Sequence, residues 1–341
     1  MEVALLFARL EGILSTAKTA DASNPKAIQE AAKIIRSGGL IAFPTETVYG
    51  LGADAGNPLA VARIFEVKAR PRMDPLIIHV ADMESAAIYG RFPESAHRLT
   101  AKFWPGPLTL IVDKRPSVPS IVTAGLETVA IRVPAHPAAL DLIRASGCGI
   151  AAPSANPFGY VSPTEARHVD EQLGDKIDMI LDGGPCVIGL ESTILSLTGP
   201  APCVYRVGGT TIEELESMLG KLEVRTDVVL QPQAPGQLLR HYATQTRLEI
   251  AEEEQERLKP HERAGLLSLL PPAEPAQYAA LEVLSPSGNM REAAANLFGA
   301  LRRLDTLSLD RIIARPVPEA GLGLAIMDRL RRCAAGGLPR E

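Results

Sequence analysis

The stretch KARPRMDPLIIHV, residues 68–80, sets three cations, Lys68, Arg70 and Arg72, beside an apolar run. Pro71 and Pro75 force an extended path between them, which would hold the cations at the rim of a sheet. There they could cradle a polyphosphate, arginine offering a bidentate fork and lysine a point charge. The plainer alternative is that they complement the negative end of a helix dipole. His79 lies inside the strand that follows, either as a buried structural histidine or as a ligand contact. In ETVAIRVPAHP, Arg132 interrupts an otherwise apolar strand. A buried arginine almost never goes unpaired, so it meets Glu127 or another carboxylate, or it faces a cleft and takes an anion such as a substrate carboxylate. Arg206, in CVYRVGG, either pairs with an acidic surface neighbour or joins the same cleft.

Hydroxyls gather in three further places. FPTETVYGLGADAG, residues 43–56, carries Thr45, Glu46, Thr47 and Tyr49 just after an apolar run, a composition that suits a small polar ligand. Its glycines read G-x-G-x-x-x-G, one residue longer than the dinucleotide fingerprint, and no G-K-[ST] follows, so alone they mark a turn. AAPSANPFGYVSPTE shows Ser154, Asn156 and Ser162 on a loop stiffened by Pro153, Pro157 and Pro163. Lacking a G-x-S-x-G elbow, it reads as a donor of hydrogen bonds rather than the seat of a nucleophile. In GLESTILSL, Ser192 and Thr193 open another strand. Cations and hydroxyls converging at strand ends are the usual make-up of a ligand cleft in such sheets.

The elements that must position these groups follow from period and punctuation. Apolar runs at 40–43, 76–80, 108–112, 129–133, 179–181, 193–197 and 204–207 alternate with helical segments, the pattern of an α/β chain. Asn24-Pro25, Asn57-Pro58 and Ser162-Pro163 each put a capping residue before a proline at a helix start, and Ser162 with Glu165 and Thr210 with Glu213 have capping-box spacing. At 341 residues two domains are expected. Regularity stops at 221–246, a Pro-containing connector, and resumes in a smaller α/β unit. A net charge of −5 argues against a surface coated for nonspecific nucleic-acid binding. Cys148, Cys186, Cys203 and Cys333 form no C-x-x-C pair and the histidines show no ligand spacing, so no protein-held metal is expected. No apolar run is long enough to span a membrane, and the first residues lack a basic signal-peptide region, so a soluble, cytoplasmic protein is expected.

The ordered set GGLIAFPTETVYGLGADA, KARPRMDPLIIHV, FWPGPLTLIV, TVAIRVPAHP, APSANPFG and GLESTILSL…YRVGG resembles the YrdC-like L-threonylcarbamoyl-AMP synthases. The connector PGQLLRHYA followed by an α/β unit resembles the long, two-domain form. That resemblance implies an α/β fold: a YrdC-like twisted, mixed parallel and antiparallel open sheet flanked by helices, plus a smaller C-terminal Rossmann-like domain. The implied division is an N-terminal extension at 1–23, a catalytic domain at 24–220, a linker or lid at 221–246 and a C-terminal domain at 247–341.

The activity implied is that of a nucleotidyltransferase joining L-threonine, bicarbonate and ATP into threonylcarbamoyl-adenylate with release of pyrophosphate. Mg²⁺ would be held mainly by the phosphates. Partner proteins would then transfer the threonylcarbamoyl group to N6 of adenosine 37 of tRNA, with at most weak or transient tRNA contact by this chain and no membrane. By the same resemblance the threonine site falls on Thr47, His79, Arg132, Ala152 through its backbone, and Ser192. The ATP site falls on Arg70, Asp74, Thr128, Ser154, Ser162, Arg206 and Tyr242, and Lys68, Arg70 and Arg206 are the catalytic cations. His241 and Tyr242 would lie over the occupied cleft. Asp74 stands where the family usually has asparagine, so its charge must be offset by Arg70 or Arg72, or turned away. Gln237 and Thr244 replace a common methionine and proline in the connector. Two rivals are a noncatalytic tRNA- or double-stranded-RNA-binding module, and a carbamoyl-transfer maturation factor, which would need zinc pairs and further domains absent from this sequence.

Overall fold

The computed structural model describes residues 17–226, 232–237, 242–253 and 256–336. His241, one of the two residues expected over the cleft, lies outside them. The first domain runs β1 (Lys18–Asp21), α1 (Pro25–Arg36), β2 (Ile41–Phe43), β3 (Gly50–Asp54), α2 (Pro58–Lys68), β4 (Ile77–His79), α3 (Met83–Ala86), β5 (Gly90–Arg91), α4 (Glu94–Phe103), β6 (Leu108–Lys114) and β7 (Thr128–Arg132). It continues α5 (Pro137–Ser146), β8 (Ile150–Ala151), α6 (Ala166–Leu173), β9 (Met179–Asp182), β10 (Thr193–Ser196), β11 (Cys203–Arg206), α7 (Ile212–Leu219) and β12 (Glu223–Val224). The second holds β13 (Leu248–Ile250), β14 (Ala264–Ser268), β15 (Ala280–Val283), α8 (Met290–Asp305), β16 (Arg311–Ala314) and α9 (Leu322–Gly336).

The first sheet has the order β1-β9-β2-β3-β8-β4-β7-β6-β10-β11-β12, with β5 beside β6, and it mixes parallel with antiparallel pairs. The second, β13-β16-β14-β15, is wholly parallel. The α/β class and the two-domain mixed-sheet architecture are thus as expected. Asn24 and Asn57 cap α1 and α2 through their side chains, each before a proline.

Local punctuation misleads at Ser162, which caps nothing. The next helix, α6, starts at Ala166 behind a Glu165 whose side chain makes no cap, because the Ser162 hydroxyl is drawn to Glu191 instead. The capping box foreseen at Thr210 and Glu213 forms one residue later, between Thr211 and Glu214. Lys18–Asp21, assigned to an extension, adds a parallel edge strand to β9. Four mostly exposed residues, three of them polar, carry no alternating signal that would reveal it.

GLGAD is a strand as well, pairing antiparallel with β2 so that Gly50 faces Phe43. A Cβ on Gly52 would come within 2.6 Å of Ile150 and 2.8 Å of the Phe43 ring. Gly52 thus makes room for core side chains, and the stretch is a strand where its glycines alone had marked a turn.

Register then decides which groups meet. β4 pairs with β7 so that His79 lies opposite Arg132 and Ile77 opposite Ala130. Side chains alternate along a strand, so all four share one face. Ile77, Ala130, Ile111 and Ile194 form a small apolar cluster there, and Ala234 of the connector packs onto it. A continuous core also runs from the first sheet through Tyr242 into α8 and α9, so the second domain docks on the first through apolar contacts.

Candidate active site

The cleft lies on that shared face. Arg132, 3% exposed, donates Nη1 to Thr47 Oγ1 at 2.9 Å and Nε to the Gly106 carbonyl at 3.1 Å, and its Nη2 stands 2.7 Å from Glu46 Oε1. Its carboxylate partner is therefore Glu46; Glu127 pairs with Lys114 instead. Thr45 Oγ1 donates to the Val48 carbonyl at 2.7 Å and lies 2.8 Å from Thr47 Oγ1. With its own proton committed, Thr45 must accept from Thr47, which in turn accepts from Arg132. The hydroxyls of FPTETVYG thus fix Arg132 in a directed chain of bonds. His79 meets the Phe43 ring edge to face at 5.9 Å. Burial, reinforced by the Arg132 charge, pushes its pKa down to about 3, so its imidazole is neutral at physiological pH.

On the opposite wall, Arg206 donates Nε to the Ser192 carbonyl and Nη2 to Ser192 Oγ, each at 3.0 Å, while Ser192 Oγ lies 2.7 Å from Thr109 Oγ1. Nη1 reaches the Pro235 carbonyl at 3.5 Å, so the connector roofs this arginine. Gly236, at φ +94, passes so close that a Cβ would lie 3.3 Å from Arg206 Cδ. Gln237, where the family commonly has methionine, ties the roof down by accepting from the Gln233 and Ala234 amides at 2.8 and 3.1 Å.

Arg70 is committed to its own loop, donating to the Asp74 and Pro75 carbonyls at 3.2 and 2.9 Å and pairing with Asp74 Oδ2 at 2.9 Å. Burial raises the pKa of Asp74, and the Arg70, Lys68 and Arg206 charges oppose that rise. Arg70 is thus the partner that offsets this carboxylate, while Arg72 is exposed.

Lys68, 2% exposed, donates to the Ser154 carbonyl at 2.7 Å and to the Asn156 carbonyl. Burial lowers its pKa well below the usual lysine value. Its ammonium clamps the Pro-rich loop from behind.

Thr47, His79, Arg132, Ala152 and Ser192 line one cavity of about 50 Å³, together with Arg70, Ser154 and Arg206. Lys68, Asp74, Ser162, Tyr242 and Thr128 do not line it. Lys68, Asp74 and Ser162 lie one contact behind the lining, through Ser154, Arg70 and Glu191 respectively, and Tyr242 packs against Arg329 of the second domain, itself bonded to the lining residue Glu191. Thr128 is not brought there: it opens β7 opposite Asp113, four residues and so about 13 Å from Arg132 along the strand. The part of that stretch that abuts the Arg70 loop is Val122–Thr123, whose Val122 carbonyl accepts from the Leu76 amide at 2.8 Å. Glu191 lines the cleft too and was not singled out beforehand; a single Glu in GLESTILSL gives no local sign of its long-range partners. A larger open hollow of about 1160 Å³ beside β1, lined by Asp21, His136 and Asp182 among others, holds none of the marked residues.

Comparison with known proteins agrees with this architecture. Residues 33–208 match the Sua5/YciO/YrdC family, described as "Telomere recombination", and residues 210–335 match "Threonylcarbamoyl-AMP synthase, C-terminal domain". The Threonylcarbamoyl-AMP synthase of Pyrococcus abyssi is 44% identical over 324 residues, 90% of this chain and 94% of that one. The protein of the same name from Bacillus subtilis is 44% identical over 331 residues, covering 93% and 96%. Among solved structures, P. abyssi Sua5 complexed with L-threonine superposes with a TM-score of 0.85 at 41% identity, covering 92% of this chain and 95% of that one. The chain belongs to the two-domain threonylcarbamoyl-AMP synthases, a family of enzymes.

Proposed function

We propose that this cleft joins L-threonine, bicarbonate and ATP into threonylcarbamoyl-adenylate and releases pyrophosphate. The observation that carries the reading is the convergence of Arg70, Arg132 and Arg206 on one cavity, with only Arg206 lacking a carboxylate partner among the described residues. The threonine amine adds to the carbon of bicarbonate with loss of water, giving a carbamate. A carbamate oxygen then attacks the α-phosphorus while the bond to pyrophosphate breaks. Two anions must be brought together, so fixed cations and orientation can supply most of the acceleration without a strong base. In this reading Arg132, directed by Thr47 and Glu46, takes the threonine carboxylate, and Arg206, held in place by Ser192, faces the phosphates.

Among the described residues no cluster of three His, Cys, Asp or Glu side chains could hold a metal, and Asp74 and Glu46 are each paired with an arginine. These residues fit Mg²⁺ carried in on ATP and water, where it would neutralise phosphate charge. A drug-sized ligand commonly needs about 300 Å³ or more, against about 50 Å³ here, so Pro235 and its neighbours must lift for ATP to enter. The product would pass to proteins that transfer the threonylcarbamoyl group to tRNA.

A noncatalytic RNA-binding role gains nothing from a cleft this narrow on a chain of net charge −5. No described helix is long and apolar enough to cross a membrane. The test is pyrophosphate release measured while threonine and bicarbonate are omitted in turn. Each omission should abolish it, and release that continues without threonine would defeat the assignment.

A further inference from the structure

Two arginines of the second domain reach into the walls of the cleft. Arg302 of α8 donates to the Val161 and Ser162 carbonyls, and its guanidinium lies 5.0 Å from the Tyr160 ring. Arg329 of α9 is fully buried. It donates Nε to Glu191 Oε2 at 3.0 Å, pairs through Nη1 with Asp328 Oδ2 at 2.7 Å, and lies 5.1 Å from the Tyr242 ring. The other oxygen of Glu191 accepts from Ser162 Oγ at 2.6 Å. The loop that carries Glu191 is seated on α8 at Gly189, where a Cβ would fall 2.5 Å from Ala295 Cα.

Glu191 is next in sequence to Ser192, the residue whose carbonyl and hydroxyl Arg206 grips, and the Glu191 charge acts on Arg206. A buried carboxylate stripped of its partner is strongly unfavourable and turns to the nearest cation. Arg206, gripping the residue next to Glu191, already feels that charge, and a guanidinium drawn to a carboxylate has less to offer an incoming anion.

We propose that Arg329 is a positioning residue for the nucleotide: by neutralising Glu191 from the second domain, it keeps Arg206 free of any carboxylate and open to phosphate. The inference rests on the proposed function for the identity of that anion. It gives the second domain a defined task, since the nucleotide half of the cleft is electrostatically complete only while α9 is docked.

The test is ATP and threonine binding by calorimetry on the full chain, with pyrophosphate release measured alongside. Arg329→Met should weaken ATP binding by roughly 10- to 100-fold while threonine binding stays within about threefold. Arg329→Met/Glu191→Gln, which removes the charge Arg329 restrains, should recover ATP binding to within about threefold of the parent, as coupled sites do and independent ones do not. A packing role alone predicts no such recovery. Undiminished ATP binding by Arg329→Met, or a double variant still at least tenfold weaker than the parent, overturns the proposal. If Arg329→Met does not fold, the double variant decides by the same thresholds, because removing both members of a buried pair costs far less than removing one. Failure of the parent chain to bind ATP at all would overturn the functional reading together with this one. ATP binding by the parent with no loss in Arg329→Met overturns this one alone.

Discussion

The two walls of the cleft are built on different plans. The Arg132 wall is self-contained: Glu46, Thr47 and the Gly106 carbonyl all come from the first domain and orient the guanidinium. The Arg206 wall is assembled from a distance. The Ser192 that Arg206 grips follows Glu191 in the chain, Glu191 is held by Ser162 and by Arg329 of α9, and the roof is the connector at Pro235. A site for a small rigid ligand can be finished within one domain, whereas one that must open for a nucleotide gains from parts that move separately. The difference teaches that the second domain acts at one wall and not the other.

The contrast is sharpest if each arginine is removed alone. Arg206→Ala should cut pyrophosphate release by about 10²- to 10³-fold, the scale for losing a group that stabilises developing phosphate charge, while threonine still binds. Arg132→Ala should instead abolish measurable threonine binding and leave ATP binding within a few-fold; equal loss of both ligands in both variants would break the two-wall picture. Gly189→Ala tests the docking. With φ at +71 and α8 backbone 2.5 Å from the added carbon, it should cost about 2–4 kcal/mol in denaturant unfolding and weaken ATP more than threonine.

Lys68→Met strands the Ser154 and Asn156 carbonyls that the ammonium now satisfies. Relief from burying a charge offsets part of that, so a net loss of about 1–3 kcal/mol is expected. Because Lys68 stands behind the lining, kcat should fall less than in Arg206→Ala; an equal fall would move Lys68 into the reacting set.

The last test is of pH. His79 and His168 have folded-state pKa values lowered by burial to about 3 and about 4, against 6.5 unfolded. Below 6.5 the unfolded chain binds more protons, so their contribution is fully present above pH 6.5 and is lost as pH falls toward 4 and 3. The midpoint of thermal unfolding should drop between pH 7 and pH 5, less so in His168→Gln. A flat profile would mean these imidazoles are not held neutral.

Much of the scaffold was legible because its signals are local. The β2, β4, β6, β7 and β10 runs announced themselves as short apolar stretches, and Asn24 and Asn57 capped their helices as the following prolines suggested. The cations Arg70, Arg132 and Arg206 stood out as charges beside or within apolar strands, and register brought them to one cavity. Ser162 read equally well as a cap, and only the nearness of Glu191, 29 residues away, took its hydroxyl elsewhere.

The sequence by itself determined where most strands and helices lie and which side chains are costly enough in the interior to demand partners, since propensity, period and desolvation act residue by residue. It could not determine who the partners are. That Arg132 takes Glu46 and not Glu127, that Lys68 spends its ammonium on two carbonyls, and that Arg329 answers Glu191 across 138 residues were settled by tertiary packing. An ion pair or hydrogen bond acts over a few ångströms of space, and sequence separation carries no record of that distance until the sheet register and the docking of the second domain have closed it.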